Sequence, residues 1–140
     1  MATKSIEMVR TSGLSAPLGM YSHVSRSRGG SMVFIAGQLA TNPQGELVGK
    51  GDFAAQMRQV FGNLSAALIS ASATFAEVAK FTTYITRAED IPAFMATRKE
   101  LFATLYPGGD YPPNTLLVID RLVGPDYLIE IEAIAVTADG

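Results

Sequence analysis

The spacing of apolar residues changes repeatedly along the chain, and each change marks the border of an element. SIEMVR at 5–10 predicts a short first strand. TSGLSAPLGMYSHVSRSRGG, rich in Gly, Ser and Pro, reads as a loop with one short strand around Tyr21 to Val24. Arg26–Gly30 predicts a hairpin turn leading into SMVFIAGQLA, where β-branched and aromatic residues make Met32 to Leu39 a strand. From Asp52, a ready N-cap, the period turns helical: Phe53, Met57, Val60, Phe61, Leu64 and Leu68 form one stripe. VAKFTTYIT at 78–86 returns to a strand. A second helix opens with acidic residues and Pro92, buries Phe94, Leu101, Phe102 and Leu105, and stops at Pro107-Gly108-Gly109. NTLLVID and DYLIEIEAIAV close the chain as two strands joined by a turn at RLVGPD.

Strand–helix–strand connections demand parallel pairing and hairpins demand antiparallel pairing, so a mixed sheet is expected. Each helix has one apolar face, and both should pack on the same side of that sheet. A chain of 140 residues has no third helix for the other side, and reads as one domain over 1–140. Charged residues are only 17% against 48% hydrophobic, so self-association is the simplest cover.

Composition narrows the chemistry. A net charge of −2 with no basic stripe leaves no footprint for a nucleic-acid partner. No cysteine means no disulfide, thiol nucleophile or thiolate metal site, and a single histidine, His23, is too few for a metal centre. No run approaches a membrane span or a signal peptide, so a cytoplasmic protein is expected. No Gly-x-Ser-x-Gly elbow occurs, and SRSRGG at 25–30 reads as a solvated turn. In the last strand Glu130 and Glu132 lie two apart, so both carboxylates point to the same face. That face is either wet or in need of a carboxylate.

FIAGQLATNPQGELVG, YPPNTLLVIDRLVGPDYLIEIEAIAV and the earlier APLGMYSHV resemble the Rid superfamily, also called YjgF or endoribonuclease L-PSP proteins. The resemblance runs from about Ala16 to Val136. It implies an α+β, chorismate-mutase-like fold: a mixed six-stranded sheet with two helices on one face, assembled as a homotrimer with clefts between subunits. It further implies hydrolysis of reactive 2-enamine or 2-imino acids, with no cofactor and no metal. In the best-known branch, RidA, an arginine holds the substrate carboxylate, a last-strand glutamate positions water and a tyrosine lines the cleft. An arginine fork suits a planar carboxylate, and a carboxylate that orients water suits an electrophile as reactive as an imine.

Carried onto this chain, the glutamate falls on Glu130 and the tyrosine on Tyr21. The serine of the branch's Ser-Gly-Gln falls on Ala36, with Gly37 and Gln38 kept. The arginine falls on Asn114, a neutral amide without fixed charge. Losing a charge-assisted pair costs a few kcal/mol by general magnitudes. The expectation is therefore a deaminase of an enamine or imine other than the usual small 2-imino acids. Glu130 would be catalytic, and Asn114, Tyr21, Ala36 and Gly37 would bind substrate. Arg87 and Arg121 are the candidates for a replacement cation, and Glu132 reads as structural, paired with a nearby Lys or Arg. Two other classes stay open: a non-catalytic small-molecule-binding or sensing trimer, and an endoribonuclease, which the acidic charge balance ranks last.

Overall fold

The computed structural model describes residues 5–138. Strands β1 (Ile6–Met8) and β2 (Ser25–Ser27) pair antiparallel as a small sheet of their own. The main sheet holds β3 (Ser31–Gln38), β4 (Val78–Ile85), β5 (Asn114–Val118) and β6 (Ile129–Thr137) in the order β3-β6-β4-β5. β6 is antiparallel to both neighbours, and β4 is parallel to β5. This is the expected mixed sheet, carrying helices α1 (Phe53–Ser70) and α2 (Ile91–Leu105), which share one core with its inner face.

The expected single six-stranded sheet is instead divided two and four. Gly29 and Gly30 both take positive φ, 66° and 87°, which swings the chain out of the β2 ladder. Gly30 then passes so close to the end of β6 that a Cβ would lie 2.2 Å from the Thr137 carbonyl oxygen. β3 starts there, with Ser31 opposite Thr137. The short strand expected around Tyr21 to Val24 also moves: that stretch is loop, and extension begins at Ser25. Ser25 Oγ donates to the carbonyl of Ala79 (2.7 Å), the residue left unpaired where the β4–β6 register shifts, and so ties the small sheet to the large one.

The α1 stripe is buried as its spacing predicts, and Asp52 caps it by accepting from the Ala55 N–H at 3.0 Å. Gln56 is buried too, with every strong group satisfied: its amide donates to the carbonyls of Gly49 (3.2 Å) and Asp126 (2.9 Å), and its oxygen accepts from Leu128 N–H (2.9 Å). One side chain thereby sets the entry of β6. On α2 the buried residues are Phe94, Thr97, Arg98 and Phe102, while Leu101 and Leu105, expected inside, are half-buried. Phe102 draws that face inward by packing on Tyr106 (4.9 Å), Tyr111 (5.6 Å) and Phe61 (6.0 Å).

Alternation along β6 sends Ile129, Ile131, Ala133 and Ala135 into this core, and Glu130, Glu132 and Ile134 to the other face. Among the described residues no helix covers that second face. Met32 and Phe34 of β3 are 60% and 71% exposed on it.

Candidate functional site

The Glu130 carboxylate is built by a break in the β3–β6 ladder. Ile35 pairs with Ala133 and Gln38 with Ile131, so Ala36 and Gly37 together oppose Glu132. Two residues against one is a β-bulge, which re-aims the side chains around it. Glu130 lies directly over Gly37: a Cβ there would meet its Oε2 at 2.4 Å. Only glycine leaves that space. Ala36 is exposed in the bulge, and its carbonyl accepts from the Gln38 amide at 3.0 Å.

The two glutamates divide their roles by partner. Glu132 accepts the hydroxyl hydrogen of Tyr84, so its partner is a phenol rather than the expected Lys or Arg. The β4–β6 register decides this, placing Tyr84 opposite Glu130 and one diagonal step from Glu132. That hydrogen bond, more than burial, raises the Tyr84 pKa. Glu130 has no hydrogen bond or ion pair among the described residues. Its burial first, and the neighbouring Glu132 charge second, raise its pKa above the ordinary carboxylate value. A half-buried carboxyl so held is a stronger base than an ordinary carboxylate, suited to accept a proton from water and return it.

Asn114 and Tyr21 lie elsewhere in the chain. Asn114 stands opposite Phe81 at the start of β5, on the helix side of the sheet, where its Oδ1 accepts from Thr83 Oγ1 at 2.8 Å. Glu130 is on the other side. The loop carrying Tyr21 is tied to the residues before Asn114 by Ser22 N–H on the Pro112 carbonyl (3.4 Å). The Tyr21 hydroxyl accepts from Leu18 N–H at 3.2 Å, and its ring meets His23 edge-on at 5.8 Å. His23 is itself held by the Ser15 carbonyl at 2.7 Å. The candidate residues thus fall into two separate groups: Glu130 with Ala36 and Gly37, and Asn114 with Tyr21.

Neither arginine expected to replace the missing cation joins them. Arg87 and Arg121 line a cleft of about 480 Å³ with Asp120, Asp126 and Tyr127. Arg87 is spent on both oxygens of Asp90, at 2.8 and 3.1 Å. Arg121 donates to the carbonyls of Leu122 and Val123 in its own turn. The arginine beside Asn114 is Arg98, which lines the same small cavity. Sequence reasoning missed it and Tyr84. The signal for Arg98 was present: Phe94, Arg98 and Phe102 are spaced four apart, so a cation falls on the buried stripe. Tyr84 had no such signal, because its partner depends on register. Among the described residues no cluster of three His, Cys, Asp or Glu could hold a metal ion, and no helix is long and apolar enough to cross a membrane.

An α+β chain with a mixed sheet, two helices on one face and paired glutamates on the open face defines a class of small domains with a carboxylate set on a bulged strand. The chain belongs to the endoribonuclease L-PSP family, the Rid/YjgF proteins, whose model matches residues 13–137. It is 38% identical to a RutC family protein of Pyrococcus horikoshii, over 92% of this chain and 96% of the relative. It is 31% identical to the 2-iminobutanoate/2-iminopropanoate deaminase of Escherichia coli, over 87% of this chain and 92% of that protein. The crystal structure of E. coli TdcF with bound serine superposes with a TM-score of 0.69 at 31% identity, covering 97% of this chain and all (100%) of that one.

Proposed function

We propose that this chain is a hydrolytic deaminase of reactive enamine or imine metabolites, acting as a homotrimer whose sites lie in the clefts between copies. The observation that carries the reading is the Glu130 carboxylate, unpaired among the described residues, set on the Gly37 bulge and raised in pKa. Ionised, it takes a proton from water as the water oxygen bonds to the imine carbon and the C=N pair moves to nitrogen. The proton then passes to nitrogen, and the carbinolamine collapses to a ketone and ammonia. An E. coli relative bearing the name of such a deaminase supports this reaction class.

Separation of the two residue groups supports the oligomer. Glu130 and Asn114 lie on opposite sides of the sheet within one chain, so only a neighbouring copy can bring such groups together. The exposed Met32 and Phe34 give that neighbour an apolar seat. Asn114 in place of an arginine leaves no fixed charge at that position, so the usual small 2-imino acids are expected to turn over slowly.

The test is ammonia release from freshly generated 2-imino acids, in wild type and Glu130→Gln. Loss of a positioned acid–base group lowers the rate by about 10²-fold or more, while binding of L-serine followed by calorimetry should persist. Equal rates in the two proteins would refute the assignment and favour the binding-module reading.

A further inference from the structure

We infer that the Arg98 guanidinium is an anion-binding group, the seat of a ligand carboxylate, standing in for the cation absent at Asn114. The inference deepens the deaminase reading and rests on it for the ligand's identity. Arg98 is only 3% exposed, and its Nε–H has no hydrogen-bond partner. Its contacts supply no negative charge: Nη2 meets the Met95 sulfur at 3.1 Å, and the guanidinium lies over the Phe94 ring, 4.8 Å from its centre. No carboxylate pairs with it among the described residues. A buried cation without a counter-ion is costly, and proteins keep such a group where something else completes it.

The surroundings point to what completes it. Arg98 borders a cavity with Asn114, Thr83, Pro112 and the rings of Phe61, Phe81, Phe94 and Phe102. The cavity is about 10 Å³, the space of one oxygen-sized guest. A water there would take the Nε–H but leave the charge; a carboxylate oxygen would satisfy both. Arg98 is covered by the loop through Gly19, where a Cβ would lie 2.5 Å from Nη2. Glycine at that place lets the guanidinium tuck under the loop. Admission of a whole carboxylate requires the loop to lift, which breaks the 3.2 Å Leu18 N–H bond to the Tyr21 hydroxyl, while the Leu18 side chain is already 87% exposed. Asn114 keeps one amide group beside the same guest, a neutral donor next to a charged one. The anion is thus read from α2 instead of from the start of β5.

The experiment follows the Arg98 Nε–H resonance by NMR in chloride-free buffer, titrating propanoate and, separately, propanamide of nearly the same shape. Wild type should bind propanoate at least tenfold more tightly than propanamide, with the Nε–H signal moving. Arg98→Met should retain or raise the melting temperature and lose the preference, leaving the two probes within about twofold. Gly19→Ala, which presses on Nη2, should weaken the preference without removing the charge. Equal binding of the two probes by wild type, or an undiminished preference in Arg98→Met, would overturn the inference. Glu130→Gln should leave propanoate binding intact. If anion preference fails while ammonia release still needs Glu130, the deaminase reading survives with its anchor elsewhere; if ammonia release fails, the anion site stands alone.

Discussion

Gly37→Ala tests the placement of Glu130 by the smallest possible change. The added methyl would lie 2.4 Å from Oε2, 2.6 Å from Cδ and 2.8 Å from Cγ of Glu130. Ordinary van der Waals contact requires the carboxylate to retreat by about 1 Å. Glu130 is half-buried, so it can rotate toward the open face instead of disrupting the core. The strained rotamer then costs about 1 kcal/mol, a fall of about 3 °C in melting temperature for a chain of this size. A catalytic group displaced by about 1 Å loses up to about 10²-fold in rate. Ammonia release should therefore collapse in a protein whose circular dichroism melt is nearly unchanged. Wild-type turnover in folded Gly37→Ala would refute the reasoning, because the carboxylate's seat on the bulge would then have no part in the reaction.

Glu132→Gln removes the neighbouring charge that helps raise Glu130, so the acid limb of the pH–rate profile should move to lower pH; an unmoved limb would assign it to another group. The sign for stability is the opposite of a salt-bridged carboxylate. Folded Glu130 holds its proton above the ordinary 4.5, so stability falls as pH rises from there through the folded value, and Glu130→Gln should flatten that fall in thermal melts. Phe34→Glu places a charge on the apolar part of the open face, and sedimentation should show the proposed trimer in wild type and monomer in the still-folded variant; an assembly unchanged by the substitution would move the interface elsewhere.

Much of the architecture was legible because amphipathic periodicity is a local signal. Phe53 to Leu68 could bury one stripe only as a helix, and Asp52 capped it where the pattern began. The i, i+2 spacing of Glu130 and Glu132 sufficed to put them on one face. Their different fates did not follow from spacing. Tyr84 reaches Glu132 through strand register, and Glu130 is seated over the Ala36-Gly37 bulge of a strand far earlier in the chain. The same holds for the sheet: six extended segments were readable, but two consecutive left-handed glycines decided that they form two ladders.

What the sequence determined by itself was most of the elements and the family likeness. What only the tertiary structure decided was which groups meet. Asn114 faces the helices and Glu130 faces away from them, while Arg98, on a stripe that looked like ordinary core, comes to lie beside Asn114 with an unpartnered Nε–H. The physical reason is that local pattern fixes which side of an element a residue occupies, whereas partners are set by register, bulges and helix rotation. Those are long-range balances of packing, shared by residues far apart in the chain.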